Sequence, residues 1–286
     1  MGNEVLMETK MQAATIKLFL PTGEAAGIRT AEIMNWTGKA IAGPRSEIDT
    51  LLQRDELDRP GVYILLGSDD SGDPLIYIGE AECVQGRLKQ HKNKEFWVQV
   101  IAFTSKDENL TKGHIKYLEG ELITKAIAVG KATLDNNQGG KAVLPESDVA
   151  DMEVFLSKLY QLLPVLGTDV FTSATEKKPK AAHLLTCKKG KNIVATGQRS
   201  SNGFVVFKGS FSAETETRAV PEVVTKNRAK LIAKQILVLA DGVYEFTKDY
   251  EFSSPSLAAA VVRGSSANGL IEWKNKDGQT LKSIEV

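Results

Sequence analysis

Two apolar runs of strand length, separated by a loop rich in turn formers, constrain the fold of this chain most. Residues 61–66 and 75–79 combine β-branched, aromatic and aliphatic side chains. Residues 67–74 contain the glycine, serine, aspartate and proline that break strands and form turns. We therefore predict an antiparallel hairpin, in which Tyr63 and Tyr77 can point to the same face because side chains alternate along a strand.

The segments that follow the hairpin predict a helix and a third strand. Residues 84–93 have helical spacing, which would place Arg87 and His91 one above the other because they are four positions apart. Residues 97–103 alternate and are rich in β-branched side chains, as in a strand. The pattern from the hairpin onward is therefore that of an α+β fold.

A longer helix is predicted over residues 111–129. Its buried stripe is formed by Ile115, Leu118, Leu122, Ile123 and Ala126. Glu119 lies at the edge of that stripe, where charged side chains are commonly solvated. From periodicity alone, a solvated carboxylate and a functional one are equally good interpretations of Glu119.

The combined pattern is more specific than any of its parts. The pattern consists of Gly61-Val62-Tyr63, then Tyr77-Ile78-Gly79, then the remaining polar residues in order. From about residue 60 to about residue 137 it resembles the GIY-YIG nuclease family. Those remaining residues are Arg87, His91, Glu119 and Asn136. Val62 stands where the family name has isoleucine, and Glu80 stands where many members carry a phosphate-binding lysine.

The resemblance implies a small three-stranded antiparallel sheet flanked by helices and a divalent-metal-dependent endonuclease that hydrolyses DNA phosphodiester bonds. It implies that Glu119 binds Mg²⁺ or Mn²⁺ through oxygen and that Arg87 binds phosphate oxygens. Tyr63 or Tyr77 would orient or deprotonate the attacking water, and this choice stays open. The other site residues implied are His91 and Asn136 as catalytic residues, and Gly79 and Lys89 beside Arg87 as substrate-binding residues.

Other interpretations of the same residues are simpler. Tyr63 and Tyr77 taken alone are typical aromatics of a sheet face, and Arg87 with His91 is typical of a solvated helix face. A different class of function is a nucleic-acid- or partner-binding protein that keeps the GIY-YIG fold without turnover. Glu80 and the acidic first half of the chain favour that alternative.

Composition is that of a globular protein: 286 residues, 42% hydrophobic and 25% charged, with a formal net charge of zero. Acidic residues exceed basic ones before residue 171, and the reverse holds after it. Two cysteines suggest neither a disulfide framework nor a zinc site. No signal or membrane-spanning pattern is found, so we expect a cytoplasmic protein that binds DNA but not membranes. The oligomeric state stays open.

Four segments are predicted. Residues 1–57 form an N-terminal α/β unit without catalytic features, and residues 58–170 form the nuclease domain with a trailing helix. Residues 171–201 are a basic linker, interpreted either as a solvated tether or as an arm that follows phosphates. Residues 202–286 form an α+β accessory domain. The lysines and arginine of the linker are Lys177, Lys178, Lys180, Lys188, Lys189, Lys191 and Arg199.

The accessory domain carries its own resemblance, which covers about the last sixty residues. The segments that carry it are residues 252–256, the alanine-rich segment behind them, residues 267–269 and Trp273. Together they resemble an uncharacterised domain often fused behind GIY-YIG modules. We predict a capped helix over residues 253–263 and a basic helix over residues 221–238, and then strands near the end of the chain. A core position is preferred for Trp273 over a nucleic-acid contact.

Overall fold

A computed structural model describes residues 13–107, 109–136, 140, 142–173, 184–190 and 192–285. The chain divides into two compact units, the first ending at Thr172 and the second beginning at Ser173. Each has its own hydrophobic core. None of the helices in the described part of the chain has the length and apolar character needed to span a bilayer.

The first unit is built on a seven-stranded sheet in the order β1-β2-β3-β6-β4-β5-β7. All neighbouring strands are antiparallel except β5 and β7, which are parallel. Its elements are β1 Ile16–Phe19, β2 Arg29–Ile33, β3 Gly38–Pro44, α1 Ile48–Leu51, β4 Gly61–Ser68, β5 Pro74–Ala81, α2 Val84–His91, β6 Trp97–Ser105, α3 Lys112–Val129, β7 Thr133–Leu134 and α4 Glu146–Leu162, with 3₁₀ turns at Arg45–Glu47 and Asp55–Leu57.

The predicted hairpin and third strand are confirmed as β4, β5 and β6, which lie next to one another in the sheet. The predicted separate unit over residues 1–57 is not found, because β3 pairs along its whole length with β6, from Gly38 opposite Ser105 to Pro44 opposite Gln99. The sheet is therefore wider than the three strands that the resemblance implies. Pairing between segments some sixty residues apart leaves no local signal in the sequence.

Alternation along the strands gives the sheet two apolar faces. Val62, Ile64 and Ile78 point to a face covered by α3 and α4. Tyr63 and Leu65 point to the other face, which is covered by α1 and α2. Because both faces are packed, the central strands are buried on both sides, and polar groups can reach solvent only at the ends and the edges of the sheet.

Helices α3 and α4 start and stop for identifiable reasons. The Thr111 hydroxyl accepts a hydrogen bond from the backbone N–H of His114, and Gly130 ends α3 with φ +67°. Helix α4, the predicted trailing helix, begins at Glu146 after Pro145, without a side-chain cap. Its apolar stripe packs on the sheet.

The second unit holds a four-stranded sheet, β14-β10-β9-β8, and a three-stranded sheet, β11-β13-β12. Its elements are β8 Leu185–Lys189, β9 Ile193–Ser200, β10 Gly203–Val206, β11 Phe211–Ala213, α5 Glu222–Ala233, β12 Leu237–Ala240, β13 Val243–Phe246, β14 Tyr250–Phe252, α6 Pro255–Arg263, α7 Gly269–Glu272 and α8 Leu281–Ile284. The predicted linker is thus wrong for its second half, because β8 and β9 pair in register and pack in the core of this unit. Lys177, Lys178, Lys180 and Lys191 lie outside the described residues.

Helix α6 is capped as predicted, with the Ser254 hydroxyl accepting from the Leu257 N–H, and with Gly264 ending it at φ +60°. Trp273 is fully buried and its indole N–H donates to the Pro255 carbonyl at 3.0 Å, which confirms the predicted core position. The strands predicted near the end of the chain are wrong: α7 and α8 are short helices. The basic helix is also shorter than predicted, because Gln235 turns the chain at φ +53° before β12.

Candidate active site

The two tyrosines meet on the face of the sheet that α2 covers. Tyr63 lies directly opposite Gly79 in the β4–β5 ladder, and Tyr77 lies opposite Leu65, so both rings leave the same side. Their centroids are 6.1 Å apart with an interplanar angle of 24°. Tyr63 is fully buried, whereas Tyr77 is only partly buried. The sequence prediction of a shared face is therefore confirmed, and the structure adds a difference in accessibility between the two phenols.

Gly79 makes room for the Tyr63 phenol. A Cβ at this position would lie 2.4 Å from the Tyr63 Oη and 2.9 Å from the Tyr77 Cε1, closer than any side chain tolerates. The space that a side chain at position 79 would occupy is filled by Tyr63, so glycine is required here for packing the site.

His91 shares a hydrogen bond with Tyr63. The distance between Tyr63 Oη and His91 Nε2 is 2.8 Å, and the imidazole is 5% exposed. Burial, reinforced by the positive charges of Arg87 and Lys94, lowers the pKa of His91 to about 4. The imidazole is therefore neutral at pH 7. Burial and the neighbouring Tyr77 also raise the pKa of Tyr63 above that of a free phenol, against an opposing effect of Arg87.

Arg87 lies one turn before His91 on α2 and faces both phenol hydroxyls, whose hydrogen bonds raise its pKa. Its guanidinium is exposed and also donates from Nη1 to the Gln90 Oε1 at 2.6 Å. Lys89 behaves differently, because its Nζ donates to the Gln85 Oε1 at 3.0 Å on the exposed part of the helix. The helix thus brings Arg87 and His91 to the tyrosines but does not bring Lys89.

Glu119 reaches the site from the other side of the sheet. It is carried by α3, whose apolar stripe packs on the face opposite the tyrosines. Its partly buried carboxylate lies near the end of β5, where the backbone N–H of Glu80 favours its charged form. Burial, followed by the negative charge of Glu80, raises the pKa of Glu119 to about 7, against the opposing effects of that N–H and of the charges of Lys116 and Arg87. The charge of Glu80 therefore acts on the Glu119 carboxyl.

The free edge of β5 explains how Glu119 is placed. Strand β7 pairs with β5 only at Leu75 and Ile76. Beyond it, the Asn136 side chain takes the place of a strand residue, with Oδ1 accepting from the Ile78 N–H at 3.1 Å and Nδ2 donating to the Ile78 carbonyl at 2.6 Å. The next outward-facing N–H is that of Glu80, which favours the charged form of the Glu119 carboxyl. Both polar ends of the Asn136 amide are therefore used to extend the ladder toward Glu119, which makes Asn136 a positioning residue.

Sequence reasoning missed a second cation at the tyrosines. The Lys94 Nζ lies over the Tyr77 ring, 4.4 Å from its centroid, and forms an ion pair with Asp135. The segment that carries it is fixed by Arg45, which donates to the carbonyls of Lys92 and Lys94. Lys92 and Lys94 differ only by position in the sequence, so no signal there distinguishes the one that meets Tyr77.

The donor set fits a hard divalent cation, with few protein ligands. Glu119 and Glu80 offer carboxylate oxygens, and their crowding makes the doubly charged form unfavourable unless a cation is present. No group of three or more histidine, cysteine, aspartate or glutamate side chains suited to a metal occurs among the residues that the structure describes. Magnesium commonly binds through one or two carboxylates and completes its shell with water and phosphate oxygens.

Comparison with protein families finds a match to a domain of unknown function, DUF4357, over residues 185–285. The predicted accessory domain of unknown function is confirmed to this extent, and the match also includes β8 and β9, which were predicted as linker. No curated protein and no solved structure matches the chain. The match covers roughly a third of the chain and lies outside the candidate site. The nuclease interpretation of residues 58–137 therefore depends on their motif and geometry.

Proposed function

We propose that the first unit is a metal-dependent endonuclease that hydrolyses DNA phosphodiester bonds. The observation that carries the proposal is the convergence of Tyr63, Tyr77, Arg87 and His91 near the end of β5, where the charges of Glu80 and Arg87 act on Glu119. These side chains come from β4, β5, α2 and α3. Their packing in one place supports a common chemical task better than a solvated helix face does.

Arg87 is the phosphate-binding group in this proposal. Its guanidinium is exposed, carries a fixed fork of donors and faces the hydroxyls of both tyrosines. A phosphodiester presents paired oxygens that match this fork. Arg87 would therefore hold the scissile phosphate against the two phenols and neutralise part of the charge that repels an attacking water.

The two tyrosines take different tasks because they differ in accessibility. Tyr63 is fully buried, hydrogen-bonded to His91, and has a pKa raised well above that of a free phenol, so it stays protonated and cannot take a proton from the attacking water. Tyr77 is partly exposed, and its hydroxyl lies beside Arg87. We assign to Tyr77 the orientation of the attacking water. Tyr63, together with His91, would hold the Arg87 and Tyr77 side chains in place.

Glu119 would hold Mg²⁺ or Mn²⁺, with Glu80 beside it. When bound, the cation supplies Lewis-acid stabilisation of the leaving oxygen. Because the pKa of Glu119 is about 7, a proton competes with the cation at neutral pH and below. Cation affinity should therefore rise up to about tenfold per pH unit below pH 7 and level off above it.

The test is cleavage of labelled duplex, branched and single-stranded DNA with Mg²⁺, Mn²⁺ or chelator. Glu119→Gln removes the carboxylate charge while keeping the shape, and we expect cleavage to fall at least about a hundredfold, which is the size of a lost electrostatic contact at a reacting centre. Glu121→Gln, two residues along α3, is the matched control and should cleave like the parent. Tyr77→Phe should lower kcat more than Tyr63→Phe.

Two results would contradict the proposal. Cleavage by Glu119→Gln at the parental rate would remove Glu119 from the mechanism. Salt-sensitive binding of one DNA without cutting under any metal would instead favour the non-catalytic binding protein. Circular dichroism of each variant separates loss of chemistry from loss of fold.

A further inference from the structure

Two lysines of one short segment form ion pairs of the same kind in different surroundings. Lys92 pairs with Asp49, and Lys94 pairs with Asp135. Both lysine side chains are 38% exposed. Only Lys94 contacts a residue of the candidate site, through the face of the Tyr77 ring. Lys94, which lies at the candidate site, can therefore be compared with Lys92, which lies beside it.

The position of Lys94 is fixed by the backbone that carries it. The Lys94 N–H donates to the His91 carbonyl at 3.1 Å, which ties Lys94 directly to the end of α2. Its carbonyl accepts from Arg45, whose guanidinium also lies 4.8 Å from the centroid of the Trp97 ring. The segment between α2 and β6 is thus clamped, and the freedom left to Lys94 is in its side chain.

The partner of Lys94 also belongs to the edge of the site. Asp135 donates its N–H to the Ile76 carbonyl at 2.8 Å and precedes Asn136, which continues the β5 ladder. Its carboxylate is 31% exposed. A half-exposed ion pair contributes little to stability, because water and salt screen it. An incoming phosphate can therefore replace Asp135 as the anion beside Lys94 at small cost.

We propose that Lys94 is a substrate-binding residue that takes a phosphate oxygen of the nucleic-acid strand beside Tyr77, and that Asp135 is the competing anion in the free protein. This inference rests on the proposed function, because it places the strand at the same tyrosines. Arg87 lies at the phenol hydroxyls and Lys94 lies over the ring face. Two cations on different sides of Tyr77 would bind two points of one strand and fix its direction through the site.

The test compares Lys94→Met with Lys92→Met, and Asp135→Asn with Asp49→Asn. Binding of a fluorescein-labelled DNA duplex and of a single strand is measured by anisotropy in chelator, between about 50 and 200 mM salt. We expect Lys94→Met to weaken binding about tenfold and to reduce the salt slope by about one phosphate contact. Lys92→Met should change affinity less than about twofold. Asp135→Asn should tighten binding about two- to fivefold, and Asp49→Asn should not.

Cleavage is measured separately, with KM and kcat for each variant. Lys94→Met should raise KM while kcat stays within a few fold, as for a residue that binds substrate without joining the chemistry. Equal effects of the two lysine variants, or of the two aspartate variants, would show a response to net charge alone and overturn the inference.

The outcome for Lys94 is separable from the outcome for the proposed function. If the parent cleaves DNA and Lys94→Met matches Lys92→Met, the inference fails and the nuclease stands. If the parent binds without cutting and the binding depends on Lys94, the nuclease fails and the binding residue stands. If the parent neither binds nor cuts any of the DNAs, both are overturned.

Discussion

A cluster of charged side chains in the first unit and another in the second differ in how fully the surrounding structure satisfies their charges. In the second unit, Arg228 is 2% exposed and every part of its guanidinium is used. It donates to the Ser212 hydroxyl and to the carbonyls of Val261, Ala213 and Glu214, and it pairs with Glu216 at 3.0 Å. In the first unit, Glu119 is partly buried and the negative charge of Glu80 acts on it.

The difference indicates what each cluster is for. A buried cation whose donors are all satisfied holds structure together, and it leaves nothing with which a ligand could interact. A partly buried carboxyl whose pKa is raised by burial and by a neighbouring negative charge is unfavourable in its charged form, and it gains most from a cation that the fold does not itself supply. The candidate site therefore differs from the structural cluster in that its charges are incompletely satisfied by the protein, although both clusters combine charge with burial.

The largest effect that would sharpen this comparison is expected at Arg228. Arg228→Met keeps the apolar length and removes the charge, so the carbonyls of Ala213 and Glu214 lose this donor, while the Val261 carbonyl keeps the Ser212 hydroxyl. We expect the second unit to lose about 3 to 5 kcal/mol of unfolding free energy, as when one partner of a buried pair is removed. Chemical denaturation measures this loss. Lys226→Met, which removes an exposed cation of the same helix, is the control and should change stability by less than about 0.5 kcal/mol.

A loss at Arg228 no larger than that at Lys226 would contradict the structural interpretation. The Arg228 network would then be replaceable by packing, as some buried ion pairs are. DNA cleavage is the second measurement, because a change at Arg228 that left the fold intact and lowered cleavage would move function into the second unit.

The sequence predicted local features of the fold well and long-range ones poorly. Tyr63 and Tyr77 share a face because alternation is a property of the strand itself, and α3 was found within one residue of its observed start because its apolar stripe is periodic. The joining of residues 38–44 to β6 was missed, since strand partners distant in sequence leave no periodic signal. Strands β8 and β9 were missed because their exposed lysines and arginine resemble those of a linker.

The family motif named candidate residues, among them Arg87, His91 and Glu119, and their role in a site stays a prediction. Their electrostatic surroundings could not be read from the sequence. Sequence alone did not reveal that the charge of Glu80 acts on Glu119, nor that Lys94 lies over Tyr77. Both depend on which turn of the chain lies beside β5, and that is decided by tertiary packing.

A smaller effect is expected where packing, not charge, holds the candidate site. Gly79→Ala would place a methyl group 2.4 Å from the Tyr63 Oη, so the ring must move. We expect a loss of about 2 kcal/mol of unfolding free energy, typical of overpacking a buried position, and a loss of cleavage as Tyr63 leaves His91. Gly86→Ala is the control, because its new methyl group meets only the Cys83 Sγ at 3.7 Å in the interior of α2.

Gly86→Ala should stabilise the first unit by up to about 1 kcal/mol, since alanine is a better helix former than glycine. Equal stability of the two glycine variants would mean that the Tyr63 ring has space to move. Tyr63 would then be a mobile group, and the packed pair of tyrosine and histidine would lose its role in supporting Arg87.

The smallest expected effect is that of Glu80→Gln on the free energy of unfolding. It tests the comparison of the two clusters most directly, because this variant should gain stability whereas Arg228→Met should lose it. Glu80→Gln removes the charge that crowds Glu119, so the variant should be more stable than the parent. Since both groups are partly exposed and screened, we expect a gain of a few tenths to about 1 kcal/mol. Chemical denaturation at pH 8 and at pH 5 measures the gain and its pH dependence.

The pH dependence follows from the raised pKa of Glu119, from an ordinary value of 4.5 to about 7 in the folded chain. Between these values the folded state holds a proton that the unfolded state has released, so the stability from this group is full below pH 4.5 and is lost as pH rises to 7. Glu80→Gln lowers that folded pKa and restores part of the loss. The gain should therefore be present at pH 8 and small at pH 5.

The same variant should bind Mn²⁺ more weakly than the parent, because one of the two carboxylates has lost its charge. Higher stability together with weaker Mn²⁺ binding is expected if repulsion between Glu80 and Glu119 destabilises the free protein and is relieved when a cation binds. If Glu80→Gln were instead destabilising at pH 8, Glu80 would be a satisfied structural charge like Arg228. The two clusters would then no longer differ in kind, and the metal would have to be sought at Glu119 alone.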